Sequence, residues 1–341
     1  MKPKHLLCLA LVFSGALPAM AQAKSGTNTE GPTPDLELTM FNASNGNVSA
    51  QANLGIMYLK GDGVKQDYAA AAEWFRKAAS SGDGQSEYNL GVMYDQGKGV
   101  EQNYNEAIKW YQRAAGHDYP EAAVNLGMLY LQGKGVAQDS SNAAAWFQKA
   151  GDAGLPLGYD YLGSMYLNGQ GVAANTNTAF NWYMKAATNG SVWAETQIGV
   201  MFDQGEGVAQ DESAAFNWCK KAAEQGYAPA QSDVGAMYLN GWGVATNQEE
   251  GVKWYRLAAD QGYPAAQMHL GACYVIGEGV QKDSVEAYKW LTLAAQQGDP
   301  DATKVRDMLS QLVSPDEIAE GVRRAESFIP HPKVFPDEPI Q

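Results

Sequence analysis

Histidine and cysteine are scarce in this chain, at four and three of 341 residues. Only His117, His269 and His331 lie past residue 23, and no two of them share a metal-binding spacing. A Gly-x-Ser-x-Gly elbow, a phosphate loop ending in Gly-Lys-Ser/Thr and a Ser-x-x-Lys pair are all missing, which removes the usual hydrolase and nucleotide signatures. Basic residues are few as well: 24 Lys and Arg face 38 Asp and Glu, for a formal charge of −14. Such a chain repels phosphate backbones, which argues against nucleic acid and anionic membrane surfaces as partners. It steers basic partners toward itself.

Long apolar runs are also missing. The one run of note, Leu6 to Leu17, is too short to span a bilayer. It follows Lys2 and Lys4 and leads into small-x-small patterns at Ala19–Ala21 and Ala21–Ala23, so residues 1–23 read as a signal peptide. The mature chain is expected in the periplasm or outside the cell, without stable membrane insertion. Cys8 sits at the head of the run behind Leu7, where a lipoprotein would need a small residue. Cleavage removes two lysines and no acid, which takes the charge from −14 to −16. Two cysteines then remain, Cys219 and Cys273.

What the chain has in abundance is period. The pattern Leu-Gly-x-Met-Tyr recurs with its glycine at Gly55, Gly91, Gly127, Gly163, Gly199, Gly235 and Gly271, each step being 36 residues. A Gly-x-Gly-Val loop begins six residues after each anchor, first at Gly61 to Val64. Twelve residues past each anchor stands Asp67, Asn103, Asp139, Asn175, Asp211, Asn247 or Asp283. Nineteen past it stands Trp74, Trp110, Trp146, Trp182, Trp218, Trp254 or Trp290.

Each element has a physical job. The segment before the loop, Ala50 to Lys60 in the first unit, spaces small and apolar residues as a helix, here helix A. The Gly-x-Gly pair ends it by accepting positive φ. The Asp or Asn then caps helix B. Helix B is expected to bury its Trp and its Ala-Ala pair, Ala78 and Ala79 in the first unit, against the next helix A. One unit cannot cover its own apolar face, so stacked neighbours supply the core.

These residues resemble the Sel-one-like repeat (SLR) family, relatives of the tetratricopeptide repeat, over about residues 47–298. The resemblance implies an all-α fold, a right-handed α-α superhelical solenoid of seven 36-residue repeats, serving as an adaptor. Exported bacterial members are implicated in envelope signalling, exopolysaccharide assembly, host-cell contact or the neutralising of secreted toxins. Some cysteine-rich relatives were assigned penicillin binding or β-lactamase activity. This chain lacks their cysteine pair in each repeat.

The ends read as degenerate caps. Residues 24–34 are expected to be a linker, and residues 35–45 a half-repeat before Gly46. Asp301 to Val313 reads as a last helix A with Asp307 in the anchor slot, and Ser314-Pro315-Asp316-Glu317 as a capping box opening a helix to about Phe328. That places the solenoid at 35–328, its C-terminal cap at 299–328 and an extended tail at 329–341. Cys219 and Cys273 occupy packing positions more than a whole repeat apart, too far for a disulfide. Both are expected to be free and buried.

A partner is expected on the face of helix A away from the buried stripe, at offsets −3, +1 and +4 from the anchor, which in relatives lines a concave groove. It carries Ile56, Leu59, Tyr88, Val92, Asp95, Val124, Met128, Leu131, Asp160, Leu167, Val200, Asp203 and Leu239. Two tryptophans fall outside the phase: Trp242 in the variable slot of its Gly-x-Gly loop, and Trp193 just before a helix A. Both are candidates for exposed binding hot spots. His269 reads as a surface residue of helix A. The expectation is an exported, non-enzymatic scaffold without cofactor or metal, holding a protein that is basic or carries an apolar helix. An immunity protein occluding a toxic effector is the sharper alternative. A cell-wall or β-lactam-acting enzyme is a third that no sequence feature motivates.

Overall fold

The computed structural model describes residues 34–335; the expected signal peptide and linker before residue 34 and the tail beyond 335 lie outside them. Seventeen helices and no strand occur among the described residues. They form two compact units, residues 34–174 and 175–335.

In the first unit, α1 (Pro34–Ser44) precedes the helix A elements α2 (Val48–Lys60), α4 (Gly84–Gln96), α6 (Pro120–Gln132) and α8 (Pro156–Asn168). Between them run the helix B elements α3 (Tyr68–Ser80), α5 (Tyr104–Gly116) and α7 (Ser140–Asp152). The second unit alternates α9 (Thr176–Thr188), α11 (Glu212–Glu224), α13 (Gln248–Asp260) and α15 (Ser284–Gln296) with α10 (Val192–Gln204), α12 (Ala228–Asn240), α14 (Pro264–Ile276) and α16 (Pro300–Leu309). It ends in α17 (Pro315–Glu326). Within each unit consecutive helices pack on one another from α1 to α8 and from α9 to α16, as a solenoid requires, and α17 packs back on α15.

The local code is met at each repeat. All seven Asp or Asn residues cap their helix B through the side chain, as Asp67 does by accepting from Ala70 N at 3.0 Å. The first loop glycine is a left-handed C-cap wherever helix A meets a loop, with φ 74° at Gly61. The second glycine has a different cause. A Cβ on Gly99 would strike the backbone at Tyr68, where the preceding repeat's helix B begins, and Gly243 would meet Glu212 in the same way. One glycine therefore turns the chain, and the other lets neighbouring repeats close up.

The core corrects one expectation. The in-phase tryptophans are half-buried from Trp74 to Trp254, and only Trp290 is buried. The residue after each is the one that fills the interior: Phe75, Tyr111, Phe147, Tyr183, Cys219, Tyr255 and Leu291 are all at or below 3 % exposure. In six of the repeats, from Gly55 with Phe75 to Gly271 with Leu291, that position faces the anchor glycine. The tryptophan one step round the helix lies at the edge, where Lys77 sits 3.8 Å from the Trp74 ring centroid and Lys185 4.4 Å from that of Trp182.

Both ends pack onto the neighbouring repeats. Leu36 and Ala43 of α1 join Ala50 and Leu54 in one core cluster. At the other end α16 stops at Leu309, four residues short of the expected Val313. The capping box at Ser314 and Glu317 opens α17, which lies on α15. There Phe328 meets Trp290 edge-on at 5.3 Å and Arg324 bonds Glu286 at 2.7 Å, which explains why this tryptophan alone is covered.

Candidate functional site

The face of helix A expected to line an open groove is mostly closed in the free chain. Val92, Asp95, Val124, Met128, Asp160 and Val200 are buried, while Ile56, Leu59, Tyr88, Leu131, Leu167, Asp203 and Leu239 are half-buried. The physical reason is lateral packing. Helix A touches helix A directly where α2 meets α4 and α4 meets α6, which accounts for the burial of Val92 and Val124. Apart from Asp95, the +4 row keeps solvent access: Leu59, Leu131 and Leu167 in the first unit, and Asp203 and Leu239 in the second. Val275 continues that row half-buried and was not singled out by the sequence reading.

Loop chemistry holds this row in place. Gln66, Gln102, Gln138 and Gln210 each donate from Nε2 to the carbonyl of the +4 residue, at 2.8, 2.7, 2.8 and 2.7 Å. The last turn of helix A is thereby tied to the loop that leaves it, and the +4 side chain stands on a fixed backbone. In the first unit the row opens into a cleft of about 450 Å³ lined by Met128, Leu131, Gln132, Lys134, Gln138, Ser140, Gln170 and Gly171. Its apolar wall is Met128 and Leu131, and its rim carries amides and one ammonium.

Asp95 is a supporting residue rather than a surface charge, at 3 % exposure with Tyr111 Oη donating to its Oδ2 at 3.2 Å. Burial pushes its carboxyl up to about 6. Tyr88 packs against Tyr119 with ring centroids 4.9 Å apart, and burial raises its hydroxyl to about 12. The two out-of-phase tryptophans part company. Trp193 is 5 % exposed with its ring edge-on to Tyr183 at 5.4 Å, so it is not the exposed residue expected. Trp242 is half-buried. His269 also departs from the surface reading: it is half-buried, stacked on Tyr255 at 5.1 Å, and burial lowers its pKa. Cys219 and Cys273 are buried thiols that form no disulfide, as expected.

A second polar system, which the sequence reading missed, joins the start of helix A to the end of helix B. Glu87, fully buried, accepts from Arg113 Nε at 2.9 Å and lies 2.7 Å from His117 Nδ1. Glu195 takes the same place with Lys221 at 2.9 Å and Gln225 at 2.7 Å, and further on Gln231 meets Gln261 and Gln267 meets Gln297. The signal was legible as a polar residue four before the anchor, once paired with the one 30 residues on.

Among the described residues no three His, Cys, Asp or Glu side chains are placed to hold a metal ion, and no helix is long and apolar enough to cross a membrane. The family model described as Sel1 repeat matches residues 48–83, 84–119, 120–155, 156–191, 194–227, 228–263 and 264–299. No curated protein shows significant similarity to the chain. Among solved structures, a Sel1 repeat protein from Oxalobacter formigenes matches at 34% identity and TM-score 0.69, over 81% of this chain and 79% of that one. A protective antigen with an SLR fold, present in uropathogenic Escherichia coli strains, matches at 25% identity and TM-score 0.50, over 86% of each chain.

Proposed function

We infer that this chain, which belongs to the Sel1 repeat family, is an exported scaffold that binds a partner protein through the +4 row of its helix A elements. The cleft beside Leu131 carries the reading. It offers an apolar wall of Met128 and Leu131 for a side chain of the partner, and a rim of Gln132, Lys134, Gln138 and Gln170 for that partner's backbone. Leu59 and Leu167 extend the apolar surface in the same unit, and Leu239 and Trp242 present a comparable surface in the other. A partner with an apolar anchor and basic flanks suits this row, given the charge of −14. Residues 1–23 direct export, and the chain works without catalysis.

The test is capture. Purified chain carrying Leu131→Asp or Leu239→Asp is compared with the parent for co-purifying proteins from the native cell envelope, with far-ultraviolet circular dichroism as the fold control. At least a tenfold loss of a specific partner is expected in one of the variants. Undiminished capture by both would remove this surface from the function. Fractionation with N-terminal sequencing checks export separately: a processed chain beginning at Gln22 or Lys24 is expected outside the cytoplasm.

A further inference from the structure

Residues 329–335, after α17, stay on the surface of the second unit. They turn back over it and cross, in reverse order, the turns that join α13 to α14 and α11 to α12. Pro330 lies over Gly262, where a Cβ would come 3.0 Å from the Pro330 Cβ. His331 N donates to the Asp260 carbonyl at 3.0 Å, and Lys333 N donates to Gln261 Oε1 at 3.0 Å. The Lys333 stem crosses Gly226, its ammonium donates to the Gln225 carbonyl, and Phe335 meets Tyr227 edge-on at 5.4 Å.

The register is regular. Pro330 stands at Gly262 and Lys333 at Gly226, so three tail residues advance one 36-residue repeat. An extended polyproline-type segment rises roughly 3.1 Å per residue, about 9 Å for three. Packed helices stand about 8–10 Å apart. The two spacings are commensurate, and the prolines at 330 and 332 favour that conformation. Gly226 and Gly262 hold φ of 93° and 90°, and without a Cβ they let the segment lie against the turn. The equivalent Gly190 and Gly298 of the same unit have open space where a Cβ would stand.

We propose that these turns form a peptide-binding track for an extended, proline-containing, basic segment of a partner protein, and that residues 329–335 occupy it in the free chain. The track recognises backbone N–H groups through the Asp260 carbonyl and the Gln261 amide oxygen, a lysine through the Gln225 carbonyl, and an aromatic ring two residues later through Tyr227. The acidity of the chain favours the basic ligand. This surface is distinct from the +4 row and stands or falls independently of it.

The test uses the full chain and a fluorescently labelled synthetic peptide of residues 328–335, which carries Lys333 and no acidic side chain. In the variant Lys333→Ala/Phe335→Ala the resident segment loses its anchors. The labelled peptide is expected to bind that variant saturably and at least tenfold more tightly than it binds the parent, by fluorescence anisotropy. Adding Tyr227→Leu should weaken binding at least fivefold with unchanged circular dichroism. Absence of binding to the released variant, or equal binding to variant and parent, overturns the proposal. Light scattering that shows the parent dimerising through this segment would assign the track to a second copy instead and would also overturn it.

Discussion

Gly127 lies flat against the ring of Phe147, so close that a Cβ on the glycine would stand 2.5 Å from a ring carbon. Gly55 with Phe75 and Gly235 with Tyr255 repeat the arrangement at 2.6 and 2.8 Å. The anchor glycine and the aromatic 20 residues on are one packing unit, and they set how closely helix A approaches helix B.

Gly127→Ala is therefore expected to destabilise by about 1–3 kcal/mol, because the ring must move off its rotamer to admit a methyl group. Gly116→Ala is the control. Gly116 sits in the last turn of α5 with open space around it, and alanine there should be neutral or stabilise by up to about 1 kcal/mol. Urea unfolding of both variants decides the matter. Equal effects would mean that the glycine serves propensity and not contact.

The positions legible in the sequence are those whose cause is local and repeated. A capping Asp or Asn, a glycine with positive φ, and the 36-residue period each depend on a few neighbouring residues, and seven copies made them unmistakable. Which of two adjacent residues in helix B goes inside is another kind of question. Trp74 and Phe75 differ by one step of 100°, and the rotation that buries Phe75 is set by the glycine across the interface. Burial of Val92 and Val124 in turn follows from helix A touching helix A, a lateral contact that periodicity within one helix does not encode. The tail is not periodic at all, so its path over Gln261 and Tyr227 had no signal beyond its prolines.

Glu87 is fully buried, paired with Arg113 at 2.9 Å and in contact with His117 Nδ1 at 2.7 Å. Removing one partner leaves a charge in the interior, which costs more than the intact pair contributes. Arg113→Met should cost about 2–4 kcal/mol, and adding Glu87→Gln should recover part of that loss. Chemical denaturation of the single and double variants is the measurement. A double variant no more stable than Arg113→Met would place the effect in lost side-chain packing instead.

Asp233 is buried in α12, and desolvation, with repulsion from Asp203, pushes its carboxyl up to about 8. The folded chain therefore holds a proton that the unfolded chain releases near pH 4. This carboxyl's contribution to stability is full below about 4, falls as pH rises, and is lost above about 8. Asp233→Asn should raise the Tm at pH 8 and change it little at pH 4, with a gain on the order of 2 kcal/mol at the higher pH. Calorimetry across that range checks it. A gain independent of pH would sink the assignment.

The two thiols past residue 23 give a last test, because burial and separation act on them together. Cys219 stands where other repeats carry the buried aromatic, with its Sγ 2.5 Å from where a Cβ on Gly199 would lie. Cys273 is 3 % exposed in α14, and burial pushes its thiol up to about 12, so little thiolate exists at neutral pH even where a reagent gains entry. Native chain beginning after residue 23 should react with less than one equivalent of a thiol reagent at pH 8. In urea both thiols should react without prior reduction. Failure to titrate two thiols in urea would mean that the pair had oxidised, and the repeat spacing that holds them apart would have to be wrong.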